Sequence, residues 1–170
     1  MATRAAHLRL SRHCAQIETV DWLHQNGVAH MDIKPANILL DMENGIFKLI
    51  DFGLSILVLA PGAELLSNDV KRAGSPAYTS PQILLYVPFP NVYAVDVWSC
   101  GIVVYEIVMG NFPYGDITNM HAYAEAISNG VDSSIVPAPF NTLCASLLDL
   151  DEVTRLRNFR AIVAARNANM

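Results

Sequence analysis

Between Ala29 and Gly53 the chain reads AHMDIKPANILLDMENGIFKLIDFG. Ile38 to Leu40 and Ile46 to Ile50 are apolar runs. The residues between them, Asp41 to Gly45, end in Asn44-Gly45, a dipeptide that favours tight hairpin turns. Two short strands joined this way fold the stretch back on itself and carry Asp32, Asn37 and Asp51 toward one another. Two carboxylates and an amide carbonyl are hard oxygen donors, suited to Mg²⁺ and a phosphorylated nucleotide. A lone Asp is most often a turn residue. Three such oxygens returned to one place by a hairpin constrain everything packed around them.

The bulk properties narrow the setting. The 170 residues, 52% of them hydrophobic, suffice for one domain with its own core. No uninterrupted apolar run reaches the length that spans a bilayer. The most apolar segment, Val95 to Met109, carries Asp96 and Glu106 and predicts a buried helix with no membrane span. Met1 to Ala6 lacks the apolar stretch of a secretory signal. Cys14, Cys100 and Cys144 are odd in number, far apart, and without metal-ligand spacing. Reduced thiols in a cytoplasmic or nuclear protein are the expectation. A net charge of −5 argues against general nucleic-acid binding.

Further elements follow from periodicity. Leu10, Cys14, Ile17, Val20 and Leu23 recur every three or four positions and predict a helix from Leu8 to Gln25, stopped by Asn26-Gly27. Leu54 to Arg72 reads as a loop, with Ser55 and Ser67 as solvated serines or phosphorylation sites. Helices are predicted at Ile117–Ser128 and Leu143–Leu150. Arg157, Arg160 and Arg166 form a basic face, read as solvated or as an anionic docking patch. An Asp inside the Val95–Met109 helix must be paired or hydrogen-bonded, because an unsatisfied buried carboxylate is costly.

The order of His30-Met31-Asp32-Ile33-Lys34-Pro35-Ala36-Asn37, Asp51-Phe52-Gly53 and Ala73 to Gln82 (AGSPAYTSPQ) resembles the eukaryotic protein kinases, Ser/Thr type. The resemblance implies a catalytic base at Asp32, with Lys34 neutralising charge on the transferred phosphate. ATP and Mg²⁺ would be held by Lys34, Asn37, Leu39 and Asp51, with Asn37 and Asp51 as metal ligands and Leu39 beneath the adenine. Ser75 and Tyr78 would belong to the segment that receives a protein substrate. His30, Phe52, Gly53, Asp96, Gln82 and Arg155 would be supports: His30 packed on Phe52, Asp96 holding the catalytic loop, and Gln82 meeting a buried Arg155. The Ile117–Ser128 helix would dock substrates or partners. Small-molecule phosphotransferases of the aminoglycoside and choline kinase type share a His-x-Asp loop. They usually lack Lys34-Pro35 and the segment ending at Gln82.

The fold so implied is mainly α, a kinase-like C-terminal lobe with a small β-hairpin, half of an α+β two-lobed fold. It occupies residues 7–165, with tails at 1–6 and 166–170. No Gly-rich phosphate loop and no Val-Ala-Ile-Lys strand precede Leu8, so the isolated chain is expected to be inactive. The alternative is a truncated, non-catalytic remnant that binds protein partners. Met31 stands where most members carry Arg, and Gln82 stands where they carry Glu. Ala36 replaces a Glu common in kinases directed to basic sites.

Overall fold

The computed structural model describes residues 16–41, 46–58, 74–85, 91–115 and 120–168. The first half of the predicted N-terminal helix, Cys14, the hairpin turn, Ser67 and the start of the Ile117 helix lie outside the described residues. Helix α1 covers residues 16–25, buries Ile17, Val20 and Leu23, and stops at Gly27, whose φ of 75° favours a residue without Cβ.

The hairpin forms as its apolar runs predict. Strand β2 (Ile38–Asp41) pairs antiparallel with β3 (Ile46–Leu49), Ile38 opposite Leu49 and Leu39 opposite Lys48. A second ribbon has no counterpart in the sequence reading. Strand β1 (Val28–Ala29), just before the loop, pairs with β4 (Ile56–Leu57), just after Gly53. It ties the loop's entry to the exit of the Asp-Phe-Gly turn.

Helix α3 (Val92–Met109) begins three residues before the predicted Val95, because Asn91 Oδ1 accepts from the Tyr93 N–H at 3.0 Å and caps it there. Gly110, at φ 73°, ends it with its N–H on Glu106 O. Its many valines are indifferent helix formers, and tertiary burial decides instead. Thirteen of its eighteen residues are buried. By length and hydropathy α3 could cross a bilayer, but 72% of it lies inside the fold. Residues of α1, α5 (Phe140–Leu147) and α6 (Glu152–Asn167) pack on one side of it through Ile17, Val20, Leu147, Leu156, Phe159 and Val163. Tyr123 and Ile127 of α4 (Met120–Ser128) pack with Trp98, Ile102 and Tyr105. The short α2 (Pro81–Leu84) supplies Ile83 to a third cluster with Ala29, Met31 and Val95. The mainly α reading stands.

The helix predicted at Leu143–Leu150 is corrected at both ends, to Phe140–Leu147. Helix α5 ends at Leu147, where the Leu148 N–H closes on Cys144 O, and not at Leu150, because Asp149 turns the chain by accepting from the Asp151 N–H. Asp151 then caps α6 through the Thr154 N–H at 2.7 Å. Helix α6 runs from Glu152 to Asn167. Arg166, expected in the tail, instead grips Glu18 on α1 with Nε and Nη2 at 3.0 and 2.9 Å. Cys100 and Cys144 are free and fully buried, and burial pushes the Cys144 thiol up to about 11, as expected of reduced core thiols.

Among the described glycines, the tightest surroundings are at Gly101. A Cβ there would lie 2.6 Å from Leu148 Cδ2 and 3.0 Å from Leu147 Cβ. Helix propensity alone would favour Ala by about 1 kcal/mol, whereas overpacking costs about 1–3 kcal/mol. Gly101→Ala is therefore expected to lower the melting temperature by a few degrees. A rise would show that the α3–α5 contact gives way.

Candidate active site

The loop after β1 hangs from one carboxylate. Asp96 on α3, fully buried, accepts from the His30 N–H at 2.7 Å through Oδ2 and from the Met31 N–H at 2.8 Å through Oδ1. Oδ2 also meets His24 Nε2 at 2.9 Å. These bonds hold Met31 at φ 68°, a left-handed conformation that costs a non-glycine residue about 1–3 kcal/mol. His30 then bridges the two motifs. Its Nδ1 accepts from the Asp32 N–H (3.3 Å), and its Nε2 donates to Ile50 O (3.0 Å), a pattern that assigns the Nε2–H tautomer. The His30 ring lies 4.9 Å from the Phe52 ring, the packing the resemblance implied.

Asp32, 8% exposed, is surrounded by donors. Lys34 Nζ lies 2.8 Å from its Oδ2, Asn37 Nδ2 lies 3.0 Å from the same oxygen, and the Ser75 N–H reaches Oδ1 at 3.1 Å. Lys34 Nζ also donates to Ser75 Oγ at 2.9 Å. The Ser75 hydroxyl thus serves the lysine, while its backbone serves the aspartate. Gly74 makes this approach possible. It sits at φ 107°, where a Cβ would lie 3.1 Å from Met31 O, so only glycine fits.

Asn37 gives both Nδ2 bonds to Asp32, one to its backbone oxygen (2.9 Å) and one to its carboxylate. That leaves the amide oxygen for a cation. The Ile50 N–H on Asn37 O (3.0 Å) fastens the end of the hairpin beside it. Asp51 follows at φ 62°, exposed, with Oδ1 accepting from the Gly53 N–H at 3.3 Å. No hydrogen bond joins Asp51 to Asp32 or Asn37 among the described residues, so the hairpin aligns their backbones and leaves this carboxylate facing solvent. Leu39 is half exposed on the same strand that follows Asn37.

The segment from Ser75 is held by contacts that sequence reasoning missed. Tyr78 OH donates to Glu106 Oε2 on α3 at 2.7 Å, its ring meets Phe112 edge-on, and Ser99 Oγ donates to Tyr78 O. Burial, reinforced by Glu106, raises the Tyr78 phenol well above its ordinary range. Tyr123 OH on α4 donates to Ala77 O at 3.1 Å. The only sequence signal for the Tyr78–Glu106 bond was an acidic residue on an otherwise apolar helix.

Arg155 is fully buried and meets the predicted Gln82. Its Nη2 donates to Gln82 Oε1 at 3.0 Å, Nε donates to Ala94 O at 2.9 Å, and Nη1 donates to Asp149 O. Burial lowers its pKa to about 10, against the pull of Glu152. A carboxylate in place of the amide would strengthen the bond, charge-assisted bonds being roughly twice as strong as neutral ones. The same change forfeits the Gln82 Nε2 bond to Leu150 O (2.8 Å), which lies near the surface and can be replaced by water. Gln82→Glu is expected to gain about 1 kcal/mol, a rise of about 2–4 °C in melting temperature. The gain should vanish in acid as the introduced carboxylate protonates. An unchanged melting temperature at neutral pH would contradict it.

Comparison with known proteins agrees with this geometry. The sequence profile of the protein kinase domain matches residues 8–164. CBL-interacting serine/threonine-protein kinase 5 of Arabidopsis thaliana is 43% identical over 109 residues, 63% of this chain and 23% of its own length. The calcium/calmodulin-dependent protein kinase type II alpha chain of Drosophila melanogaster is 36% identical over 124 residues, 71% of this chain and 22% of its own. CBL-interacting protein kinase 11 of Oryza sativa is 35% identical over 141 residues, 82% of this chain and 27% of its own. The chain spans about a quarter of the length of these relatives.

Proposed function

The chain belongs to the protein kinase family, with serine/threonine kinases as its relatives, and from that premise we propose that it is the C-terminal lobe of a kinase. The lobe, residues 7–165, would transfer the terminal phosphate of ATP to a protein Ser or Thr hydroxyl when a nucleotide-binding lobe completes it. The observation that carries the reading is the joint hold on Asp32: Lys34 Nζ spans its carboxylate and Ser75 Oγ at 2.8 and 2.9 Å. Asp32 would orient the substrate hydroxyl and accept its proton. Lys34, already beside that carboxylate, would offset charge on the transferred group. Ser75 keeps the lysine there, and Tyr78, anchored to Glu106, fixes the segment against which a protein substrate would lie.

The donors fit a divalent cation. The Asn37 amide nitrogen is committed to Asp32, which presents its oxygen, and Asp51 presents an exposed carboxylate. Hard oxygens suit Mg²⁺. Asn37 and Asp51 would hold Mg²⁺, which would supply charge neutralisation for the phosphates of ATP. Leu39, half exposed, would lie under the base. Leu39, Phe52, Leu54 and Leu57 are all exposed apolar residues around the hairpin and the Asp-Phe-Gly turn, a face that a second lobe would cover.

Phosphate transfer from ATP to a generic Ser/Thr substrate tests the proposal. It would be measured for the 170-residue chain alone and for the chain joined to a kinase N-terminal lobe. Turnover is expected only from the joined form, and the isolated chain should show little thermal shift with Mg-ATP. A dead joined form would favour the non-catalytic, partner-binding reading. Turnover by the isolated chain would overturn the half-site reading.

A further inference from the structure

Away from Asp32, the first turns of α6 and the cap of α3 line an open cavity. It measures about 350 Å³ and is lined by Asn91, Glu152, Val153, Leu156, Arg157 and Arg160, within the size of small-ligand pockets. Nothing in the proposed phosphate transfer uses it. We infer that this cavity is a docking site for an acidic peptide segment of a partner protein, one that carries an apolar anchor next to its carboxylates.

Charge complementarity argues for the carboxylates. Arg157 and Arg160 stand at i and i+3 on α6, which places them on neighbouring positions of one face. Both are exposed, and neither takes part in an ion pair among the described residues. Three other cations are spent. Arg155 is buried on Gln82, Ala94 and Asp149, Arg166 is held by Glu18, and Lys34 is held by Asp32. In a chain of net charge −5, the lining sets two guanidiniums against the one carboxylate of Glu152, a local excess of positive charge, with Arg157 also acting on Asp151. Guanidinium forks suit carboxylates in particular.

The rest of the lining selects a peptide over a bulk polyanion. Val153, 67% exposed, and Leu156, 8% exposed, line the cavity, so the site offers apolar surface to an aliphatic or aromatic side chain. Glu152 lines the same space, and its Oε2 is shut in without a hydrogen-bond donor. A peptide N–H can satisfy that oxygen once the side chain turns into the cavity, and burying it unpaired is costly. A nucleic acid or an anionic lipid surface would repeat its charge beyond the two arginines, against Glu152 and an acidic chain, whereas a peptide can confine its carboxylates to Arg157 and Arg160. Asn91 spends Oδ1 on the Tyr93 N–H, which leaves its amide nitrogen to donate to a peptide carbonyl. Donor, acceptor, apolar surface and paired cations together describe an extended acidic-apolar segment.

Panning a random peptide library displayed on phage against the 170-residue chain tests this. Enriched peptides are expected to share adjacent acidic residues beside a Leu, Ile or Phe. A synthetic copy of the strongest should bind in solution and weaken about tenfold or more with Arg157→Glu/Arg160→Glu, and also with raised salt. All three probe positions are exposed, so the Arg pair and a second variant, Val153→Asp, should leave the melting temperature unchanged. Val153→Asp should weaken the same peptide by opposing its anchor. Failure to enrich, enrichment of peptides without acidic residues, or binding by either variant as tight as by the unaltered chain would overturn the proposal. Equal binding of a poly-aspartate of the same length would do so too, by reducing the site to bulk charge.

Discussion

Asp32→Asn, in the chain joined to a kinase N-terminal lobe, is expected to cut phosphate transfer about 10²–10⁴-fold, the usual loss when a positioned general base is removed. The two side chains share a shape, so the substrate segment should keep its place and the loss should fall on kcat more than on KM. The amide has one oxygen where the carboxylate had two, and both are in use. Oδ2 serves Lys34 and Asn37, and Oδ1 serves the Ser75 N–H. Whichever way the amide turns, one set of donors faces an NH₂ group at a site only 8% exposed. A stability loss of about 1–3 kcal/mol should accompany the change. Activity is therefore compared at a temperature where both proteins remain folded. Equal turnover in variant and wild type would remove Asp32 from the role given to it.

Much of this site was legible because its parts are local or lie in motifs with fixed order. The hairpin was readable from two apolar runs about Asn44-Gly45, and the buried Asp96 had to find donors because a carboxylate in an apolar helix cannot stay bare. The meeting of Gln82 with Arg155, 73 residues apart, was readable only through the family's pattern. Composition alone does not pair them. The unreadable contacts are those that distant side chains settle between themselves. The β1–β4 ribbon is two residues per strand, too short for any periodicity. Tyr78 reaching Glu106 and Arg166 reaching Glu18 depend on how α3 and α6 lie, and no window of sequence records that. The reading drew no bounds for helix α6, because Arg155 occupies its buried stripe with Leu156, Phe159 and Val163. A charge at that position hides the apolar face by which a helix is recognised. The basic face of Arg157, Arg160 and Arg166 separated for the same reason: packing assigned one of the three to Glu18 and left two at a cavity.

The second large effect concerns the support and leaves the chemistry aside. Asp96→Ala is expected to destabilise the isolated chain by about 3–5 kcal/mol, the range for stripping the partner from a buried charged network. For a chain of this length that is a fall on the order of 10 °C in melting temperature. Three donors lose their acceptor together: His24 Nε2, the His30 N–H and the Met31 N–H. Met31 also loses the bond that keeps it at φ 68°. Relaxation of that residue would swing Asp32 away from Lys34 and Ser75. Asp96→Asn separates the two contributions. Its oxygen can stay on the Met31 N–H while its NH₂ group takes the place of Oδ2. His24 can then answer with its other tautomer, accepting at Nε2 and carrying the proton on Nδ1, which has no hydrogen-bond partner. The His30 N–H is then the one newly unpaired donor, at about 1–3 kcal/mol, since the buried His24 Nδ1 is without a partner in either tautomer among the described residues. Denaturant melts of the two variants should therefore order as wild type, Asn, Ala. If Asn were as damaging as Ala, charge would be what holds the loop. If Ala cost less than about 1 kcal/mol, the loop would not hang from α3 at all.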